Sequence, residues 1–343
     1  MRANPLWPGV GDLRAVGIIA NPAAGKDIRR LVAHASVFDN AEKVNIVRRV
    51  LFGLEAVGVE RVIIMPDSYG IGLRALDGIR LSIDASVLDM PLTASQEDST
   101  RAAAVMAGRG VGAIVVLGGD GTNRAVARAS GDVPLVPVST GTNNAFPEMV
   151  EGTVAGMAAG LVARGVVRAA VRRVPCLEVL RGGEPVDIAL VDAVVYDELF
   201  TGARAIWDAG KIRRVFLART RVDATGMAAL GAYLGHRCPG DGQAGAMITI
   251  GEGRGRVLVP IAPGMVRWLP VAACEALAPG RRVPVADRPA VIALDGEREV
   301  EVRPGDGTEI RLSPHGPRVV RIRDALAEAA QQGFFVDSSS LDG

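Results

Sequence analysis

The stretch Ala113–Arg128 reads AIVVLGGDGTNRAVAR, and its reading decides the fold. Ala113 to Leu117 is apolar throughout, with no polar alternation, which predicts a strand covered on both faces. Gly118-Gly119-Asp120-Gly121-Thr122 follows. Three glycines in four residues allow a tight turn, with positive φ where a side chain would clash. Thr122 or Asn123 is placed to cap a helix running through Arg128. A Gly-rich strand-to-helix turn presents backbone N–H groups that suit phosphate. A carboxylate at the centre of such a cradle repels the ligand unless it holds a metal or takes a proton, so Asp120 is a candidate acid. On this stretch alone, an ordinary tight turn is an equal reading.

Working outward, Ala15–Ala20 (AVGIIA) is a second buried strand. It ends in Asn21-Pro22-Ala23-Ala24-Gly25-Lys26-Asp27. That loop departs from a Walker-type phosphate loop: Ala20 stands where the first glycine belongs, and Asp27 replaces the magnesium-binding Ser or Thr. Asn21, Gly25 and Lys26 are still candidates for phosphate contacts, against a plain turn with a solvated lysine. Residues 40–57 carry apolar side chains at Val44, Val47, Leu51 and Leu54, a helical face. Val62–Met65 reads as a strand, Ser68–Leu76 as a short helix and Val87–Leu92 as a third strand. Ser95 and Asp98 mark the start of a helix over Gln96–Ala107. Leu135–Val138 is one more strand, followed by Ser139-Thr140-Gly141-Thr142-Asn143-Asn144. Alternating strands and helices imply a doubly wound parallel sheet, Rossmann-like in kind. Ligands of such sheets bind beyond the carboxyl ends of the strands. The loops after Ala20, Leu117 and Val138 should therefore meet at one phosphate or nucleotide site.

After a helix near Val150–Arg164 the texture changes. Short apolar runs recur between Gly, Pro and Asp: Cys176–Leu180, Ile188–Tyr196, Val215–Ala218, Met247–Ile250, Val257–Ile261, Val291–Leu294 and Glu299–Val302. That spacing predicts a β-sandwich. A last strand and helix, Val319–Ala330, are placed to return to the first domain. The expected division is an α/β nucleotide-phosphate domain over 1–148, with 318–336 returning to it. A β-rich acceptor and oligomerisation domain takes 149–317, and 337–343 is a flexible tail. Residues 1–11 read as a loose arm.

The formal net charge of +1 over 343 residues makes no case for a nucleic-acid or membrane-surface partner. Cys176, Cys238 and Cys274 have no paired spacing, which argues against a zinc knuckle or a disulfide framework and fits a reducing compartment. No secretory leader and no run of 18 apolar residues is visible, so a cytoplasmic chain without a membrane span is expected. His236 and Cys238 lack further ligands for a metal site. Glu198 and Asp208, beside Phe200 and Trp207, read as packing around an aromatic stretch.

With these loops in view the chain resembles the ATP–NAD kinase superfamily, which includes diacylglycerol and sphingosine kinases. Within it the likeness is to the acetoin-catabolism protein X group. The resemblance spans roughly residues 14 to 300. It rests on Gly118–Thr122, Asn21-Pro22…Gly25, Gly141-Thr142-Asn143-Asn144, Thr225-Gly226-Met227-Ala228 and Asp295-Gly296-Glu297. It implies an α/β nucleotide domain followed by a β-sandwich domain, with the site between them, and commonly a homo-oligomer. It implies ATP as donor, Mg²⁺, and a small-molecule acceptor such as NAD. Gly118, Gly119, Gly121 and Thr122 would touch phosphates, with Asp120 near the acceptor hydroxyl and the metal. Thr142, Asn143 and Asn144 would line the cleft. Asp295 would be a second candidate base, with Glu297 in the magnesium network. Asp192, Thr225 and Gly226 would face the acceptor.

Departures from the family bear on the acceptor. The Asn-Glu pair of NAD kinases is replaced by Val191-Asp192, and Thr-Gly-Ser-Thr has become Thr-Gly-Met-Ala, which removes two hydroxyls. A non-catalytic nucleotide sensor in acetoin catabolism is therefore the alternative to an NAD kinase-like enzyme. A lipid kinase is a further alternative. Asp-Gly at Asp295-Gly296 is also an ordinary hairpin turn. The basic run Lys211–Arg221 is either a solvated face or a receptor for a polyanion.

Overall fold

The computed structural model describes residues 15–24, 38–141, 143–197, 209–235, 245–285 and 289–337. The expected arm, most of the expected tail, and His236, Cys238, Glu198, Phe200, Trp207 and Asp208 lie outside them. The first unit runs through β1 (Ala15–Ala20), α1 (Asn40–Ala56), β2 (Arg61–Ile64), α2 (Ile71–Leu76), β3 (Asp84–Val87) and α3 (Gln96–Gly108). It continues with β4 (Ala113–Gly118), α4 (Asp120–Ala127), β5 (Leu135–Ser139) and α5 (Gly152–Ala163). The all-apolar strands β1 and β4 are buried at every residue, as a sheet covered on both faces requires. These five strands pair in parallel in the order β3-β2-β1-β4-β5. The winding direction reverses between β1 and β4. That switch point is where doubly wound sheets leave a crevice beyond the strand ends.

The second unit starts with β6 (Val171–Arg173), β7 (Cys176–Arg181), β8 (Glu184–Ala189), β9 (Asp192–Tyr196) and β10 (Ile212–Leu217). Then come α6 (Met227–Leu234), β11 (Gly245–Ala262), β12 (Met265–Leu277), β13 (Arg282–Pro284), β14 (Ala290–Leu294), β15 (Glu297–Val302) and β16 (Thr308–Ser313). The described chain ends with β17 (Arg318–Val320) and α7 (Ile322–Gln331). A sheet ordered β12-β11-β10-β9-β14-β15 packs on one ordered β13-β16-β7-β8. Leu177, Val179, Phe216, Ile292, Ile310 and Leu312 fill the space between them. This is the expected sandwich.

β17 pairs in parallel with β5, and β6 pairs antiparallel with β17, so both extend the first sheet. α7 buries Ala325 and Ala329 in the same core. α5 also belongs to this layer, beyond the division expected at residue 148. Its close approach to α1 depends on glycines that a texture change does not reveal. A Cβ on Gly156 would stand 2.2 Å from the Val50 carbonyl oxygen, and one on Gly53 2.1 Å from that of Thr153.

Other boundaries move for physical reasons. The third strand is Asp84–Val87 and not Val87–Leu92, because Asp84 to Val87 pair with β2 in register. The run Ile188–Tyr196 breaks at Leu190-Val191, where backbone N–H groups turn to the Asp295 carboxylate. Met247–Ile250 and Val257–Ile261 fuse into β11. Gly251 and Gly253 take φ of 152° and 153° there, a conformation closed to side chains, and Ile250 and Gly255 both face Val271. Cys274 is disulfide-bonded, against the expectation from spacing, since pairing follows distance in the fold and not along the chain. Cys176 is free and buried. Among the described residues no helix is long and apolar enough to cross a membrane.

The α1–α5 contact gives a direct test. Gly156→Ala pushes two backbones apart and should lower unfolding free energy by about 1–3 kcal/mol, read by chemical denaturation. The same change at Gly108, where a Cβ meets nothing within 4 Å, should not destabilise.

Candidate functional site

The three expected loops do meet. The Asn21 N–H donates to the Leu117 carbonyl at 3.2 Å, and the Asn21 side-chain amide donates to the Thr122 hydroxyl at 2.9 Å. α4 begins at Asp120 with Gly119 as its cap, three residues earlier than a Thr122 cap would place it. The glycines permit this. A Cβ on Gly118 would lie 2.5 Å from the Thr122 Cβ, and one on Gly119 would lie 2.8 Å from Asn144 Oδ1. Thr122 therefore folds down over β4 and turns its hydroxyl to Asn21. Asn144 lies across the turn, donating to the Ser139 hydroxyl at 2.8 Å and the Gly141 carbonyl at 3.2 Å. The first-turn N–H groups of α4 have no acceptor within the helix, so the turn presents them at the switch point.

Asp120 stands in that first turn. Its carboxylate accepts from the Phe146 N–H at 2.8 Å and from the Ala145 N–H at 3.0 Å. It thereby ties the loop after β5 to the start of α4. Thr225 donates its hydroxyl to Asn143 Oδ1, which brings the second unit to the same loop, and Gly226 starts α6 beside it. Gly25, Lys26 and Thr142, and the side chain of Glu297, lie outside the described residues.

Asp295 lies on the opposite wall. It takes φ of 53° and Gly296 83° in the β14–β15 hairpin, so the hairpin reading of Asp-Gly holds. The carboxylate is nonetheless buried, 5% exposed. It accepts from the N–H groups of Leu190 at 2.9 Å, Val191 at 2.8 Å and Asp192 at 3.2 Å. Burial, opposed by Arg124 and assisted by Asp120, raises its pKa to about 7. Asp192 is itself buried at the head of β9 and is tied to Asp295 through its backbone.

Arg124, on α4, is 1% exposed. It reaches Asp187 of β8 at 2.9 Å and Asp295 at 4.0 Å. Sequence reasoning missed it because position 124 reads as the polar face of a short helix. It also missed Lys43, which the helical pattern of 40–57 places beside the apolar face. Lys43 has no exposed surface. Its ammonium donates to the carbonyls of Asn21 at 3.0 Å, Pro22 at 3.3 Å and Ala24 at 2.8 Å, and to Asn40 Oδ1 at 3.2 Å. It therefore pins the loop after β1 from beneath. One signal was available: Lys43 is one of three lysines in a chain whose cations are otherwise arginine, and a compact ammonium serves several convergent carbonyls better than a planar fork does.

The basic run Lys211–Arg221 divides. Arg213 pairs with Asp197 and Arg214 donates to the Pro284 carbonyl at 3.1 Å. Arg219 and Arg221 turn to the cleft. Beside the loop after β1, a cavity of about 210 Å³ is bounded by Asn21, Met65, Asp67, Tyr69, Ser95 and Asp98.

A model of the ATP-NAD kinase N-terminal domain matches residues 16–166, and one of the acetoin catabolism protein X C-terminal domain matches residues 175–315. Over 332 residues the chain is 41% identical to acetoin catabolism protein X of Cupriavidus necator, covering 92% of each. The chain belongs to the acetoin catabolism protein X family. The resemblance drawn from the motifs is thus borne out, and the family joins a kinase-like nucleotide-binding unit to its own β-rich unit. Among solved structures, the chain is similar to a diacylglycerol kinase from Bacillus anthracis str. Sterne. That likeness has 14% identity and a TM-score of 0.44, over 90% of this chain and 96% of the other.

Two outcomes are expected for this family's site as it stands here. Lys43→Met leaves the loop carbonyls without their donor and should cost at least about 2 kcal/mol, measured by denaturant unfolding. Asp295 takes up its proton at a higher pH in the folded than in the unfolded chain. The folded state therefore holds the extra proton between about pH 4 and 7, and stability should fall as pH rises through that window. Asn at this position keeps the Oδ1 acceptor and tolerates positive φ. Asp295→Asn should fold, with a flatter stability–pH curve over the same window.

Proposed function

We propose that this chain binds a nucleoside triphosphate at the switch point and transfers its terminal phosphoryl group to a hydroxyl of a small molecule, NAD or a relative. The observation that carries this reading is the junction of Asn21, the Gly118–Thr122 turn and Asp120 at the ends of β1 and β4. Phosphoryl transfer asks the protein mainly for alignment and charge neutralisation. The N–H groups at the start of α4 supply fixed donors, and the pinned loop after β1 holds Thr122 of that turn in place through Asn21. The cavity beside Asn21 is smaller than the roughly 300–1,000 Å³ of whole-ligand pockets, so it suits one end of a nucleotide.

In the reaction the acceptor oxygen bonds to phosphorus, the bond to the diphosphate leaving group breaks, and the hydroxyl proton passes to a carboxylate. Asp120 takes that proton, being in the turn that holds the phosphates. Asp295, enclosed by three N–H groups, acts behind it by fixing the loop before β9. Among the described residues no three metal-ligating side chains cluster. Magnesium would therefore arrive with the nucleotide, held by its phosphates with Asp120 as protein ligand, as Mg²⁺ sites commonly are. It would supply neutralisation of phosphate charge.

A second reading, a nucleotide-binding accessory protein of acetoin catabolism, is favoured by one observation. Met227 and Ala228 are buried, 5% and 1% exposed, so that segment turns no hydroxyl toward an acceptor.

The test is ADP release from Mg·ATP with NAD, NADH, acetoin-type hydroxyl compounds and diacylglycerol. The kinase reading expects release that depends on one acceptor. In Asp120→Asn, turnover should fall by about 100-fold or more while ATP affinity changes little. Absence of release with every acceptor, alongside a melting temperature raised by Mg·ATP, would select the accessory reading.

A further inference from the structure

Arg219 follows β10 and sits where the two units face each other. Its Nε donates to the Leu190 carbonyl at 2.9 Å, and its guanidinium lies 4.5 Å from the centre of the Phe146 ring. Those contacts fix the plane of the group and use one of its five N–H donors. Among the described residues the terminal nitrogens have no hydrogen-bond partner. The side chain keeps some access to solvent, while its guanidinium is packed closely enough that burial pulls its pKa down to about 10. It is still a cation at neutral pH, and Asp120 and Asp295 support its charge from nearby.

The neighbouring arginines differ. Arg221 is gripped by both Asp223 oxygens, at 2.9 and 2.7 Å. Arg321 pairs with Glu148 at 3.9 Å. The nearby carboxylates are also engaged: Asp120 accepts from the Phe146 N–H at 2.8 Å, and Asp295 accepts the N–H groups of 190–192. Arg219 is thus a fixed cation with an unused planar fork, one residue contact away from Asp120. The fork is open to a ligand, and a guanidinium fork matches the paired oxygens of phosphate or carboxylate.

We propose that Arg219 is an oxyanion-binding residue, its outward fork holding two oxygens of a phosphate or carboxylate bound between the Gly118–Thr122 turn and the second unit. The oxyanion is either the terminal phosphate of the donor or an anionic group on the acceptor. The donor assignment rests on the proposed nucleotide site, whereas the oxyanion position itself does not.

Calorimetric titration of the full chain separates the cases. The probes are Mg·β,γ-imido-ATP, Mg·ADP, and inorganic phosphate, the last both alone and added to protein saturated with either nucleotide. Arg219→Met should weaken imido-ATP binding by about tenfold or more and leave ADP within about twofold if the fork holds the terminal phosphate. If it holds an acceptor's anion, both nucleotides keep their affinity, and phosphate binding beside imido-ATP is present in the wild type and lost in the variant. Arg219→Lys keeps the charge without the fork and should recover part of either loss. It also stands in should the Met variant fail to fold. Should folded variants bind all three probes as the wild type does, Arg219 holds no oxyanion. Phosphate binding that depends on Arg219 in a chain that binds neither nucleotide would retain the oxyanion position and sink the kinase reading. A wild type that binds none of the probes overturns both.

Discussion

The ion pairs of Arg124 hold the two units in register. One guanidinium on the helix of the glycine turn reaches a strand of the second unit through Asp187 and a hairpin of it through Asp295. Buried charge pairs add little net stability, because desolvation offsets their attraction, yet removal of one partner strands the other and costs about 3–5 kcal/mol. Their effect here is geometric. The Gly118–Thr122 turn and the loop before β9 cannot rotate apart without stranding a charge, and everything between them inherits that alignment.

Asp120 and Asp295 show how environment separates two chemically identical groups. Both bind runs of backbone N–H groups, and both therefore shape loops. Asp120 lies in the first turn of a helix, where the dipole favours negative charge. Asp295 is enclosed, so burial outweighs its hydrogen bonds and holds its proton near neutral pH. One carboxylate is thus suited to face a ligand and the other to brace the wall behind it. Lys43 does from below what Asp120 does from the side: it gathers carbonyls of the loop after β1 so that the loop keeps one shape.

Much of this was legible in the residues. Unbroken apolar runs mark strands covered on both faces, and Gly118 and Gly119 mark a tight turn, though that Thr122 and Asn144 fill the space they leave is visible only in the fold. The asymmetry between alternating strand–helix texture and closely spaced strands separated the two units. Less legible were the features set by distant partners. Arg124 and Lys43 look like surface charges because helix periodicity gives direction and not depth. The break at Leu190-Val191 has no local cause, since its N–H groups answer to a carboxylate about a hundred residues away in sequence. The same holds for the α1–α5 contact, where Gly53 and Gly156 matter only once the helices cross.

By itself the sequence determined the local chemistry: which segments extend, where the chain turns tightly, and that a phosphate-friendly turn carries an acid. These follow from side-chain size, β-branching and glycine's freedom, which act over a few residues. Only the tertiary structure decided which charges are buried, that Asp295 is a hairpin brace with an elevated pKa, and that Arg219 keeps an unused fork beside Asp120. Burial and electrostatic partnership depend on segments far apart in the chain, and a linear pattern carries no distance between them.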